Sequence, residues 1–353
     1  PESLGDGLWR PGIRAGVTPG SEYHLTEYFA PVLGVMRVET LEEAIDAVNA
    51  VDYGLTSGLH TLDPDELALW LDRVEAGNLY VNRGITGAIV RRQPFGGWKR
   101  SAIGSTTKAG GPSYLLGLVD VLPGDDATRD AEEERASAKG RHDLASLLEP
   151  RVKAVYDAVA GDLDKRDVAF LRRALVGDAT AWADEYGVGR DVSGLACERN
   201  VLRYVPSDVV VRAGAGTNVA DLARVLAAGV LAGGEVSVSA AEELPTRLAS
   251  AARAAGVEVA VEAPGVWESR LADLASSGEL GVRVRLLGQR GVDPEARWSE
   301  ASRVTGGSPD VALYTGGVTA SPHVELLPFL REQAVSVTKH RFGTPLDLAE
   351  GLL

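Results

Sequence analysis

Residues 209–214 read VVVRAG, a run of β-branched residues ending on alanine and glycine. It is too short and too apolar for a surface helix, so it reads as a buried strand. The pattern repeats on both sides. VLRYVP at 201–206 precedes it, and EVSVSA at 235–240, VEVAVEA at 257–263 and VRVRLLG at 282–288 follow. Ala-rich stretches between them, from Val219 to about Ala228 and from Leu244 to Ala255, read as helices. Short Val-rich strands separated by helices predict a parallel, doubly wound sheet covered on both faces. Upstream, Leu144 to Gly187 reads as helical, with Val152, Val155, Tyr156, Val159 and Leu163 as one apolar stripe. Residues 144–353 are therefore expected to form one α/β domain.

Before it, residues 123–143 read PGDDATRDAEEERASAKGRHD, polar and dense in charge with almost nothing to bury. That composition predicts a linker. The first part, 1–122, alternates short β-rich runs with signalled helices. Thr40-Leu-Glu-Glu43 is a capping box ahead of Leu41, Ala44, Ile45 and Val48 at helical spacing. Asp63-Pro64 with Glu66 opens a second helix, bearing Leu67, Trp70, Leu71 and Val74 and expected to stop at Gly77 before a strand at Asn78–Asn82. The run YLLGLVDVL at 114–122 is apolar and β-prone, and is expected to be covered, by another subunit if not by this one.

Composition excludes several function classes. Lys plus Arg at 36 against Asp plus Glu at 50 leaves a net charge of −14, which argues against nucleic acid and anionic membranes as partners. No run approaches the length of a membrane span, and the expected location is cytoplasmic. One cysteine, Cys197, excludes an internal disulfide framework, and the five histidines show no ligand spacing, so no metal site is expected. The sequence opens at Pro1 and its one methionine is Met36, which reads as a fragment of a longer protein.

RRQPFGGWKRSAIG, Arg91 to Gly104, sets paired glycines beside two aromatics and four cations. By themselves Gly96 and Gly97 read as a turn, or as bare backbone that lets a ligand approach the amides. Its context carries a resemblance. Thr26-Glu-Tyr-Phe-Ala-Pro-Val-Leu-Gly34, the Thr40 helix, Asp52-Tyr-Gly-Leu-Thr56, Gly77-Asn-Leu-Tyr-Val-Asn82 and Gln93-Pro-Phe-Gly-Gly97 resemble, in order and spacing, the C-terminal part of the aldehyde dehydrogenase superfamily. Arg83–Val90, RGITGAIV, and Lys108–Leu115, KAGGPSYL, resemble the branch that oxidises L-glutamate γ-semialdehyde, the open form of Δ1-pyrroline-5-carboxylate. Glu198–Tyr204, ERNVLRY, and Leu327–Gly343, LPFLREQAVSVTKHRFG, resemble the extra C-terminal domain of bifunctional proline utilization proteins, which fuse that enzyme to a proline dehydrogenase.

The resemblance implies an α/β chain: the C-terminal part of an aldehyde dehydrogenase fold, then a second, Rossmann-like α/β domain without catalytic residues. It implies NAD as cofactor, with FAD confined to a proline dehydrogenase domain absent from this chain. It also implies a homo-oligomer and L-glutamate γ-semialdehyde as the small-molecule partner. Position by position, Glu27 matches the acceptor for the nicotinamide ribose hydroxyls and Phe29 the aromatic beside that ribose. Gly87 and Ala88 match the loop whose amides hold the substrate carboxylate, a short anion nest. Phe95 matches the aromatic wall against the substrate's aliphatic part. Ala30 departs from the glycine usual in this motif. Arg91, Arg92, Lys99 and Arg100 are expected in solvent or at a subunit contact.

No catalytic residue is assigned to this chain. In the family the nucleophilic cysteine, its oxyanion donors and the deacylating glutamate precede the TEYFAP motif, and here only 26 residues precede Glu27. Cys197, in SGLACERN beyond the linker, is expected to be a small buried residue. Ala213-Gly-Ala-Gly-Thr217 has GxG without the third glycine of a dinucleotide fingerprint and is expected to be a structural strand-to-helix turn. These residues predict part of an NAD-dependent semialdehyde dehydrogenase, inactive alone. The rival reading is a non-catalytic module for assembly and site closure, and a third is an aldehyde dehydrogenase with another substrate.

Overall fold

The computed structural model describes residues 2–104, 107–119, 121 and 144–353. The predicted linker at 123–143 lies outside the described residues. Nine strands build the two main sheets: β1 Thr56–Leu59, β2 Asn78–Val81, β3 Glu198–Pro206, β4 Val209–Ala213, β5 Val236–Ala240, β6 Glu258–Val261, β7 Val282–Leu287, β8 Val311–Tyr314 and β9 Leu330–Thr338.

The first sheet has the order β6-β5-β4-β7-β8 and every pairing in it is parallel. Successive β4 side chains reach opposite layers, as the pleat requires. Val209, Val211 and Ala213 enter a core with helices Pro150–Val159, Lys165–Ala181, Val219–Ala232 and Thr246–Ala254, whereas Val210 packs toward Trp267, Leu271 and Ala301 of helices Pro264–Ser276 and Pro294–Val304. This is the doubly wound sheet expected from VVVRAG. One predicted member is not in it. VLRYVP forms the end of β3, which lies in the other sheet, because its neighbour is the equally long strand β9.

That other sheet has the order β1-β2-β9-β3. β1 and β2 come from the first part of the chain, and β3 and β9 from beyond residue 144. β9 pairs in parallel with β2, Ala334 opposite Asn78, and antiparallel with β3 from Leu330–Pro206 to Thr338–Glu198. One hydrogen-bonded layer therefore crosses the region where composition placed a boundary. Val335 and Val337 of β9 pack with Leu67, Trp70, Leu71 and Leu79, so the apolar core of the first part is completed by the far end of the chain.

Local signals set the helices of the first part. Thr40 caps Leu41–Asn49 by accepting from the Glu43 amide at 3.2 Å, but the Glu43 carboxylate reaches back to the Glu39 amide rather than to Thr40. Asp63 caps Pro64–Arg73, which ends at Val74, three residues before the expected Gly77. The described residues of YLLGLVDVL form no strand. Tyr114–Leu118 forms a 3-10 turn that leaves Leu115 and Leu118 exposed, while Leu116 alone packs against the larger core.

Two kinds of buried charge hold these layers. On the second-domain side, Arg224 and Asp178 are both fully buried and form a bidentate pair at 2.6 and 2.9 Å. Burial pushes Asp178 up to about 6, against the pull of Arg224. The strand VRVRLL also buries its arginines: Arg283 donates to the carbonyls of Leu327, Pro328 and Leu330, and Arg285 pairs with Glu325. At the joint, Lys108 is 0 % exposed, its amide donates to Glu332 of β9 at 2.7 Å, and its Nζ donates to Asn78 Oδ1 and to the Gly96 carbonyl. Trp98 Nε1 donates to the Glu332 carbonyl at 2.9 Å. Burial lowers Lys108 to about 7, partly offset by Glu332, whose own carboxyl burial pushes up.

Arg224→Met strands a buried carboxylate, so chemical denaturation should show a loss of about 3–5 kcal/mol, partly recovered on adding Asp178→Asn. Lys108 titrates lower in the folded than in the unfolded chain, so the unfolded chain binds more protons between about pH 7 and 10.5 and the penalty that burying Lys108 places on folding shrinks as pH rises. The stability of wild type relative to Lys108→Met should therefore rise by roughly 1–2 kcal/mol from pH 7 to 9 in denaturation curves.

Candidate functional site

The loop carrying Glu27 and Phe29 follows a one-turn helix, Glu22–Leu25, capped by Ser21. Its base is fixed by aromatic contacts. Tyr23 and Tyr28 stack at 5.3 Å, Arg14 lies 4.7 Å over the Tyr23 ring, and Tyr28 Oη donates to Glu22 at 3.1 Å. His24 ties the turn to the Leu41–Asn49 helix through the Ala47 carbonyl at 2.7 Å. Beyond this anchored base Glu27 is exposed and Phe29 is 97 % exposed. Both side chains are available to a ligand.

Gly87, Ala88 and Phe95 lie on the chain that leaves β2. Asn82 turns it with φ +56°, held by reciprocal bonds to the Thr61 backbone at 3.0 and 2.8 Å. Gly87 sits at φ +99°, where a side chain would be strained. The loop closes through Gln93 N–H to the Ile89 carbonyl at 2.7 Å, and Phe95 is clamped to Ala109 by paired bonds at 3.0 and 2.9 Å. Between these ties the Gly87 and Ala88 amides donate to no acceptor among the described residues, and both residues are exposed. Phe95 is half-exposed at 39 %. The structure thus groups Gly87, Ala88 and Phe95 on one loop system. Glu27 and Phe29 stand on a separate unit, with no hydrogen bond or ion pair between the two sets among the described residues.

The glycines of QPFGGW have a packing reason that neither sequence expectation named. A Cβ on Gly97 would collide with the Ser101 side chain, and one on Gly96 would press on Lys108 at 3.3 Å. Three of the four cations are also not free. Arg92 and Arg83 both pair with Glu198 of β3, at 2.6 and 3.1 Å, Lys99 pairs with Glu75 at 2.6 Å, and Arg100 pairs with Asp52. Burial works against the Glu198 carboxylate, but the Arg92 hydrogen bond, supported by Asn200 and Arg83, holds it below the usual range. Behind this pair, Gln93, Ser336 and Asn200 form a buried cluster with Arg83, Gln93 and Asn200 each within 3.0 Å of Ser336 Oγ. The stretch Arg91–Gly104 is largely a seam that fastens the first part to β3 and β9.

Cys197 is exposed, contrary to the expected burial, because it precedes β3 at the rim, where its carbonyl accepts from Lys339 at 2.9 Å. The GAG turn lies where the parallel sheet reverses its strand order, the usual place for a ligand in such folds. Here a cavity of about 430 Å³ remains beside the turn, but Asp221 and Arg290 of its lining are already paired with each other. Asn218 caps the Ala220 and Asp221 amides, and Arg290 spans Asp221 and Asp167 at 2.6 Å each, so the helix start faces its own carboxylates. Among the described residues there is no cluster of side chains able to hold a metal ion.

Comparison with known proteins agrees with this architecture. The profile of the aldehyde dehydrogenase family matches residues 2–119. A "Bifunctional protein PutA" of Klebsiella aerogenes is 35% identical over 187 residues, 52% of this chain and 14% of that protein. A "1-pyrroline-5-carboxylate dehydrogenase" of Staphylococcus haemolyticus is 38% identical over 111 residues, 31% of this chain and 21% of that protein. The solved structure of Proline Utilization A from Corynebacterium freiburgense superimposes with a TM-score of 0.68 at 35% identity, covering 97% of this chain and 29% of that one. The chain spans under a third of each of these relatives. Residues 2–119 are thus similar to the aldehyde dehydrogenase family, and the chain has an α/β fold like that of part of a proline utilization protein.

Proposed function

We propose that the chain is part of an NAD-dependent L-glutamate γ-semialdehyde dehydrogenase, from a bifunctional proline-degrading protein. The observation that carries this reading is the pair of adjacent unbonded amides at Gly87 and Ala88, exposed on the loop system that also presents Phe95. Two such donors receive a carboxylate without a basic patch, which suits a chain of net charge −14. Phe95 flanks the short aliphatic body, leaving the aldehyde carbon at the far end. On the other unit, the exposed Glu27 carboxylate accepts from the ribose diol and Phe29 packs beside that ribose. NAD, when bound, accepts the hydride. We assign the nucleophilic cysteine and its oxyanion donors to the remainder of the whole protein, as the resemblance implies, and give no such role to Cys197, which is exposed just ahead of β3. The whole protein would work in the cytoplasm as a homo-oligomer. No helix among the described residues is long and apolar enough to cross a membrane.

A second reading, a site-closing and assembly module, is favoured by one observation. β9 enters the sheet of the first part, so the second domain bonds directly to the unit that holds the candidate site.

With pyrroline-5-carboxylate and NAD, the purified chain should form no NADH, and a version extended to include the rest of the dehydrogenase should form it. In that active form Gly87→Ala, strained at φ +99°, should raise the KM for the semialdehyde about tenfold with a smaller effect on NAD. Glu27→Gln should do the reverse, raising the KM for NAD first. Activity of the isolated chain that is lost in Cys197→Ala would overturn the assignment of the nucleophile.

A further inference from the structure

A cavity of about 330 Å³, whose lining includes none of Gly87, Ala88 and Phe95, opens at the seam between the two parts of the chain. Its charged lining comes from Arg91 and Arg92 on one side and Glu185 and Arg190 on the other, with Pro94, Pro112, Val192, Leu202 and Tyr204 as an apolar wall. Three features set this lining apart.

The first is a charge count. Arg92 is neutralised by Glu198 at 2.6 Å and Arg190 faces Glu185 at 3.6 Å. Arg91 makes no ion pair or side-chain hydrogen bond among the described residues. The cavity is left with one uncompensated positive charge. The second is backbone strain. Arg91 adopts φ +61°, a left-handed conformation that costs a residue with a Cβ, and its amide is tied to the Gly110 carbonyl at 3.2 Å. Glycine would take this position at no cost. The third is the origin of Glu185, which lies on a single π-helical turn, Trp182–Tyr186, that ends the Lys165–Ala181 helix. Such turns are rare and frequently mark functional positions. Glu185 also accepts from Tyr204 Oη, at a long 3.4 Å, so its two contacts in the cavity are both loose.

We propose that this cavity binds a small organic monoanion, a carboxylate on a short apolar body, with Arg91 as its counter-ion. The carboxylate lies against the Arg91 guanidinium and the Arg190 edge, and the body lies on the wall of Pro94, Pro112, Leu202 and Tyr204. Because the lining comes from residues on both sides of the joint, a bound anion ties the first part of the chain to the second.

Calorimetric titration of the purified chain with sodium pentanoate tests this, with pentylamine and inorganic phosphate as comparison probes. Pentanoate should bind saturably, phosphate more weakly and pentylamine not at all. Arg91→Ala should weaken pentanoate binding about tenfold or more, the scale of one charge-assisted hydrogen bond. Arg100→Ala, at a separate pair with Asp52, should not. Arg91→Gly separates ligand binding from a structural role: it relieves the left-handed strain, so its melting temperature should equal or exceed wild type while binding is lost. Absence of saturable binding by wild type, equal binding of phosphate and pentanoate, or undiminished binding in Arg91→Gly would each overturn the proposal.

Discussion

Strand β9, Leu330–Thr338, is the element on which the two parts of the molecule depend together. Its backbone bonds on one edge to β2 and on the other to β3, and its residues Glu332 to Val337 are all buried. Without it the core around Leu67, Trp70 and Leu79 lacks Val335 and Val337, and the partners of Lys108, Trp98 and Gln93 disappear at once. A strand that satisfies two edges also removes two sites of mispairing. The seam is polar as well as apolar, and its buried charged members, unlike the exposed Arg91, are paired or hydrogen-bonded, which burial at this depth demands.

That arrangement explains why a chain so acidic carries cations at 91–100. Arg92 and Lys99 meet carboxylates of this same chain, and Arg83 joins Arg92 on Glu198. The loop segment Gly87–Val90 is left outside this fastening. A rigid seam on one side and an exposed pair of amides on the other is the arrangement a binding loop needs, because the scaffold fixes its ends while the donors stay open.

What the sequence made legible was local. The Thr40 and Asp63 caps, the strands around VVVRAG and the helical stripe at Val152–Val159 each depend on residues within a few positions of one another, and all are found. Gly87 was readable as a special backbone position by residue type, whereas Arg91 at φ +61° was not, since nothing in its side chain announces it. The misses are long-range. VLRYVP looked like its Val-rich neighbours but is captured by β9, and the alternation VRVRLL, which on a solvent-facing strand would expose its arginines, buries both because carbonyls near Leu327 and the carboxylate of Glu325 await them. YLLGLVDVL has strand composition, yet its residues Tyr114–Leu118 form a turn, of which Leu116 packs on the core.

The separation along the chain has a temporal consequence. Gln333 donates to the Ala76 carbonyl across 257 residues, beside the pairing of β9 with β2. At translation rates of about 5–20 residues per second, β2 waits roughly 13–50 s on the ribosome before its partner is made. During that interval its edge is unpaired and the face of Leu67, Trp70 and Leu79 is uncovered. The parallel sheet of β4 to β8, by contrast, is synthesised contiguously and is free to form before β9 emerges. Synthesis order therefore leaves the first part to be completed last: a chain that ends before residue 330 lacks the strand that pairs with β2 and closes the core around Leu67, Trp70 and Leu79.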